Sequence, residues 1–145
     1  EPFSHIDNFK KQTLRRNVFD YLKANNIACV LATHDKEDVL SFADQMMVLH
    51  NGTILVTDHP SSIYSNPQHP LVAAFFSEYS QINGSFYYAH EISVVEESTL
   101  KAIVKRSFYK GDSYLIEANL NGVAVYFVNA NALKENTVVS LKLGR

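Results

Sequence analysis

The segment from Ile27 to Ala32 limits the fold most strongly, because it is an uninterrupted apolar run. A run without polar alternation is typical of a strand that is covered on both faces, as in a parallel sheet. Helices must then cover that sheet, and a helical pattern does precede the run, from about Asn8 to Ala24. The sequence therefore predicts an α/β fold for the first part of the chain, with Cys29, its single cysteine, buried in the strand.

The predicted first helix has Asp7 as a plausible N-cap and ends at Asn25-Asn26. Its spacing predicts one apolar face, made of Phe9, Leu14, Val18, Tyr21 and Leu22. The exposed side is predicted to carry the basic residues Lys10, Lys11, Arg15 and Arg16.

Four shorter elements are predicted after His34. They are a helix with Glu37 and Asp38 in its first turn, a hairpin over 46–56 around Asn51-Gly52, a helix from Pro60 that Asn66-Pro67 stops, and a helix opened by His69-Pro70. The buried stripe of the last helix is predicted to be Leu71, Val72, Phe75 and Phe76.

The pattern changes near residue 84. Residues 1–85 hold 6 Lys and Arg against 9 Asp and Glu, whereas residues 86–145 hold 7 against 6 and consist of short β-type runs. We predict two domains, residues 1–80 and 86–145, joined by a polar linker at 81–85. Five strands are predicted in the second domain, which indicates a small all-β barrel: Phe86–His90, Leu100–Phe108, Ser113–Ala118, Val123–Val128 and Val138–Leu143.

Composition excludes several classes of protein. Apolar residues make up 46% of the chain, enough for packed cores, but no apolar run approaches the roughly 20 residues that cross a bilayer. The net charge of −2 and the absence of a dense basic tract argue against nucleic acid as the main partner. The basic and aromatic segment Lys105–Lys110 is better explained as a strand end than as a nucleic-acid patch. The histidines lack zinc-site spacing, so no metal site is predicted.

Two residues have the chemistry that hydrolysis of a phosphoanhydride requires. A carboxylate must activate or position the attacking water, and a donor must face the γ-phosphate. Glu1 and His34 fit these roles, and Ser4-x-x-Asp7 lies between them. Taken singly, each has a plain structural explanation: Asp7 as an N-cap, His34 as a histidine bonded to backbone, and Glu1 as a terminal carboxylate.

The order and spacing of these residues resemble the ATP-binding subunit of an ABC transporter. The resemblance continues through Ala43-Asp44-Gln45-Met46, Asn51-Gly52-Thr53-Ile54, Ile63-Tyr64-Ser65-Asn66-Pro67 and Val72-Ala73-Ala74-Phe75-Phe76. It implies the C-terminal part of a P-loop ATPase domain of the importer type. Residues 86–145 resemble the TOBE domain, an oligonucleotide-binding-like (OB-like) barrel that follows such ATPases, through the turn Phe108-Tyr109-Lys110-Gly111-Asp112-Ser113-Tyr114.

The resemblance assigns a role to each candidate site residue. Glu1 is expected to be the catalytic carboxylate that follows the Walker B aspartate, and His34 the switch histidine that senses the γ-phosphate. Ser4 and Asp7 are expected to form the D-loop, which communicates with the opposite subunit. The implied cofactors are ATP and Mg²⁺.

The chain starts at Glu1, in the middle of a family motif and without an initiator Met, so we expect a fragment. It has no G-x-x-x-x-G-K-[ST] motif, Q-loop or signature, and we expect it neither to bind ATP tightly nor to hydrolyse it alone. An unpaired edge of strand 27–32 would make the fragment self-associate.

The resemblance also implies partners and a place in the cell. The expected partners are a second ATPase subunit, membrane permeases and a substrate-binding protein, at the cytoplasmic face of the membrane, for uptake of iron(III) or polyamine. The alternative is a non-catalytic ligand- or nucleic-acid-binding module.

Overall fold

A computed structural model describes residues 7–144, except for the side chains of Asn8 and Phe9. The chain divides into two compact units, and the division falls between Ser65 and Asn66.

The first unit contains three helices and one hairpin in its described part. These are α1 (Asn8–Ala24), α2 (Lys36–Phe42), β1 (Met46–His50), β2 (Thr53–Asp58) and α3 (Pro60–Ser65). The predicted helices and hairpin are confirmed, and the hairpin turns at Asn51 and Gly52 with φ of 49° and 73°. Both residue types tolerate this left-handed conformation, which the tight turn requires.

The predicted parallel strand at Ile27–Ala32 is wrong for this structure, because these residues belong to no strand. An extended segment becomes a strand only when a neighbour completes its hydrogen bonds. In the described part of this unit the only ladder is the antiparallel pair β1–β2. Most of the run is therefore solvated: Val30 is fully exposed, and Cys29, predicted buried, is exposed too.

The predicted faces of α1 are wrong in part: Lys10 and Arg16 are exposed as predicted, and the side chain of Phe9 lies outside the described residues. Arg15 is 1% exposed, whereas Leu14 and Val18 of the predicted apolar face are 41% and 37% exposed. Phe19, one turn after Arg15, stacks on Phe42 of α2 with ring centroids 4.5 Å apart. The side of α1 that faces the rest of its unit therefore carries a cation as well as an aromatic ring.

The second unit begins with a helix and continues with seven strands. The elements are α4 (Pro70–Phe76), β3 (Tyr79–Ile82), β4 (Ser85–Tyr88), a 3-10 turn (Ala89–Glu91), β5 (Ile92–Val95), β6 (Leu100–Tyr109), β7 (Tyr114–Leu120), β8 (Val123–Asn129) and β9 (Val138–Leu143). All five predicted strands are confirmed to within a few residues, and β3 and β5 are additional. Helix α4 buries Val72, Ala73 and Phe76, but Leu71 of the predicted stripe is exposed.

Strands β5 to β9 form an antiparallel sheet in the order β5-β9-β6-β7-β8. Its edge strands β5 and β8 approach each other, so the sheet curls around a common core. Alternate residues of the strands point into that core, and Ile116, Phe127 and Leu141 are fully buried there. This unit is all-β after α4, as predicted, and its assignment to the OB-like class stays a prediction.

Residues 81–85, predicted as a linker, lie in the hairpin of β3 and β4. Tyr79 pairs with Tyr88 and Ile82 with Ser85 around the turn Asn83-Gly84. Ile82 is buried in the core of the curled sheet, because alternation along β3 turns it inward. The segment is therefore regular structure, and the limits of the two predicted domains stay a prediction.

Among residues 7–144 there is no helix with the length and apolar character that crossing a membrane requires.

Candidate functional site

Two of the four predicted site residues, Asp7 and His34, lie in the described part of the chain, and Glu1 and Ser4 lie outside it. Asp7 is exposed, and its carbonyl accepts the backbone N–H of Lys10 at 3.0 Å and of Lys11 at 2.9 Å. These bonds close the first turn of α1, so Asp7 takes the predicted N-cap position. His34 is exposed in the turn that precedes α2.

The residues on either side of His34 hold that turn in place. The backbone N–H of Asp35 donates to the hydroxyl of Thr33 at 3.0 Å. The Asp35 carboxylate in turn accepts the backbone N–H of Glu37 at 3.0 Å and caps α2. His34 is thus placed between a short hydrogen-bonded turn and a capped helix end, both of which restrict its backbone.

Helix α1 contacts this turn through two cations. Lys11 Nζ donates to Asp35 Oδ2 at 2.9 Å, and Arg15 Nη2 donates to the same oxygen at 2.6 Å. Because residues four apart share a helix face, the two cations reach one carboxylate together.

The Arg15 guanidinium also pairs with a second carboxylate, that of Asp38 in the first turn of α2. Asp38 is 3% exposed, and its other oxygen accepts the Thr33 hydroxyl at 2.7 Å. We call Lys11, Arg15, Thr33, Asp35 and Asp38 the buttress cluster. Through it, charged and polar contacts join α1, the His34 turn and the first turn of α2, in addition to the stack of Phe19 on Phe42.

The cluster shifts one titration clearly. The hydrogen bond from Lys11 lowers the pKa of Asp35 from its ordinary 3.8 to about 2, with help from the Glu37 backbone N–H and Arg15 and against the effect of burial. Asp35 is therefore ionised at any ordinary pH.

The charges of the buttress cluster balance. Two carboxylates, Asp35 and Asp38, face two cations, Lys11 and Arg15, so the acidic side chains beside His34 do not present an uncompensated negative field. An exposed imidazole in a neutralised surrounding can donate a hydrogen bond to an anion such as a phosphate. The residues present thus fit a role next to a nucleotide phosphate.

Sequence reasoning assigned none of the five members of this cluster to the site. A signal was present: Lys11 and Arg15 are four apart on one helix, and Asp35 and Asp38 are three apart at the start of the next. Two pairs of opposite charge with helical spacing can face each other as complementary patches. Judging Arg15 by polarity alone placed it on the wrong side of α1.

A cleft of about 550 Å³ opens on the second unit beside β3 and β8. Its lining residues are Glu78, Tyr79, Gln81, Gly84, Val123, Ala124 and Tyr126. Burial and the carboxylates of Glu117 and Glu78 raise the pKa of Tyr126. In the part of the chain that the structure describes, no three His, Cys, Asp or Glu side chains are grouped to hold a metal ion.

The chain is similar to curated import proteins. It is 36% identical to the Fe(3+) ions import ATP-binding protein FbpC 2 of Pectobacterium atrosepticum over 78 residues, which are 54% of this chain and 22% of the relative. It is 32% identical to the Fe(3+) ions import ATP-binding protein FbpC of Haemophilus influenzae over the same shares. The spermidine/putrescine import ATP-binding protein PotA of Mycoplasma genitalium aligns with 98% of this chain at 24% identity.

The matched part is 29% of the length of that PotA and 22% of each of those FbpC proteins, so the chain spans less than a third of these relatives. No protein-family model matches it. The chain is homologous to ATP-binding subunits of ABC importers, and it matches their C-terminal part.

Proposed function

We propose that the chain is part of the ATP-hydrolysing subunit of an ABC importer, in which binding and hydrolysis of ATP drive solute uptake. One observation carries this proposal: an exposed histidine, His34, lies in a turn that the buttress cluster fixes from below. The names of the relatives, which are import ATP-binding proteins, support it.

In this proposal His34 faces the γ-phosphate and reports its presence. Bound ATP with Mg²⁺ supplies the phosphoanhydride that is cleaved. Glu1 positions and deprotonates the attacking water, and Ser4 and Asp7 contact a second copy of the subunit. The neutral charge balance beside His34 supports the assignment, because a fixed donor in such a surrounding favours an anion without needing to reorganise.

The proposal extends to the cofactor, partners and location. The whole protein works as a homodimer with membrane permeases and a substrate-binding protein, at the cytoplasmic face of the membrane. The uptake of iron(III) or of a polyamine is supported by the names of the relatives alone. The 145-residue chain itself is expected to be inactive, because its sequence lacks the phosphate-binding loop. Residues 86–145 are expected to act as a TOBE-like regulatory barrel.

The test uses the whole protein assembled with its permeases. We expect His34→Ala to lower kcat for ATP hydrolysis by about 100-fold, the effect of removing one fixed donor from a site of developing charge. His50→Ala is a matched control, because His50 is also exposed in the same unit but lies at the hairpin turn. Absence of ATPase activity in the whole assembled protein would contradict the proposed function. An unchanged kcat in His34→Ala would contradict the role of His34.

We also propose that the 145-residue chain self-associates. Leu14, Val18, Tyr21, Ile27 and Val30 are exposed apolar residues of α1 and the segment that follows it. A second copy that covers them would remove this area from water. Sedimentation equilibrium should show a mass that rises with concentration, and Val18→Asp should reduce that rise. A single monomeric mass at all concentrations would rule the association out.

A further inference from the structure

We infer that Arg15 is a positioning residue that connects helix α1 to the orientation of His34. The inference rests on the proposed function, because it concerns the same histidine. Arg15 is 1% exposed and its guanidinium is engaged by carboxylates, so it is not available to contact a nucleotide directly. Its effect must therefore pass through the residues that it holds.

The guanidinium contacts two carboxylates that follow His34 in the chain. It donates to Asp35, the residue directly after His34, at 2.6 Å, and it pairs with Asp38, one helical turn later. One charged hydrogen bond to Asp35 and one ion pair with Asp38, both from the same guanidinium, hold the first turn of α2 against α1. His34, two residues before the start of that helix at Lys36, is oriented by the same contacts.

The N-terminal end of α1 is capped by Asp7, which is expected to face the second subunit. From Asp7 to Arg15 there are two helical turns, a rise of about 12 Å. An α-helix over such a length moves as a unit, because every turn is closed by backbone hydrogen bonds. A displacement of Asp7 on contact with the second subunit would therefore be passed by Arg15 to His34.

The ion pairs suit such a connection better than apolar packing would. A buried ion pair adds little net stability, but it has one well-defined geometry and loses much when either partner is removed. Apolar contacts tolerate small displacements, whereas a displaced guanidinium would weaken its contacts with both Asp35 and Asp38. The arrangement thus fixes the angle between α1 and the first turn of α2. A sensor at His34 requires such a defined orientation.

The test is a double-mutant cycle in the whole protein assembled with its permeases, with Arg15→Ala, His34→Ala and the double variant. We expect Arg15→Ala to lower kcat by about 10- to 100-fold with little change in KM for ATP, as expected when a reacting group is misplaced by about 1 Å. In the His34→Ala background, Arg15→Ala should cause no further loss of kcat. Arg16→Ala, an exposed basic neighbour on the same helix, is the matched control.

A purely structural role for Arg15 would give a different result. The losses of kcat would then multiply in the double variant, and that outcome would overturn the inference. A normal kcat in Arg15→Ala would overturn it as well. If His34→Ala alone leaves kcat unchanged, the proposed role of His34 fails instead, whatever Arg15 does.

Two milder variants serve if Arg15→Ala does not fold. Arg15→Lys keeps the charge but lacks the planar fork, and Asp38→Asn keeps the shape but lacks the charge. Each should lower kcat by about tenfold in the otherwise unchanged protein and should have no further effect on kcat in the His34→Ala background. Kinetic losses that remain in that background, for both variants, would reject the inference.

Discussion

Different interactions stabilise the interior of each of the two units of the chain. In the unit that ends at Ser65, the described helices α1 and α2 are joined by a buried arginine, two carboxylates and one aromatic stack. In the unit that begins at Asn66, a curled sheet closes around a continuous apolar core. Apolar burial is the larger and less specific contribution to folding, whereas buried ion pairs define geometry at little net gain. The apolar core thus stabilises the second unit, whereas the ion pairs of the first unit mainly define how α1 and α2 are oriented.

The largest expected difference appears when the two units are produced separately. Residues 66–145 should unfold in one cooperative transition in urea, because their core is contained within that range. Residues 7–65 should show no such transition, because Leu14, Val18 and Val30 are exposed and little apolar area is buried. Circular dichroism and hydrogen exchange would measure both. A cooperative transition in residues 7–65 would contradict the stated difference between the two units.

The core of the second unit should respond strongly to truncation. Phe127→Ala, at a fully buried position of β8, should reduce the free energy of unfolding by about 3–5 kcal/mol. Val128→Ala is the control on the next residue, where the side chain is 43% exposed, and it should cost about 1 kcal/mol or less. Urea unfolding followed by tyrosine fluorescence would report both. Equal losses would show that the core does not dominate this unit.

A smaller effect is expected at the hydrogen bond that joins the β3–β4 hairpin to the sheet. The hydroxyl of Ser80 is buried, accepts the backbone N–H of Tyr126 at 2.8 Å and donates to its carbonyl at 3.4 Å. Ser80→Ala leaves the N–H without this partner and should cost about 1–3 kcal/mol. Faster hydrogen exchange at the Tyr126 amide would locate the loss. Exchange that stays unchanged would mean that the hairpin is held by Ile82 instead.

The accuracy of prediction from the sequence also differs between the two units. The strands β6 to β9 and the turn Asn51-Gly52 were predictable, because apolar alternation and turn residues act locally. Strand β3 was missed, because Tyr79-Ser80-Gln81-Ile82 is polar enough to resemble a linker, and its pairing partner follows only after the turn. Alternation describes which side chains a sheet buries, so it works where a sheet is complete.

The site was harder to predict. His34 is a candidate through a resemblance in motif, and the next residue, Asp35, is contacted by Arg15, which lies 20 positions before Asp35. Burial of a cation depends on the carboxylates that it contacts, and the helical spacing of Lys11 and Arg15 shows that they share a face but not which carboxylates face them. The run Ile27–Ala32 failed for a related reason, because strand formation depends on neighbours that the run itself does not specify.

The smallest expected effect concerns the partly exposed pair of Lys11 and Asp35 and its response to pH. The pKa of Asp35 is about 2 in the folded chain, below its ordinary 3.8, so folding favours the ionised carboxylate. The stabilisation is therefore complete above about pH 4 and is lost as the pH falls from the ordinary value through about 2.

Lys11→Met should move the pKa of Asp35 upward, because the Lys11 hydrogen bond is the main cause of the shift. Both side chains of this pair are partly exposed, so the variant should lower the free energy of unfolding by only about 0.5–1 kcal/mol at pH 7. Lys10→Met, on an exposed neighbour, is the control. Titration of the Asp35 carboxyl carbon by NMR would measure the shift. If the pKa of Asp35 stays near 2 without Lys11, Arg15 alone fixes this carboxylate, and the rigid connection between α1 and the His34 turn depends on a single cation.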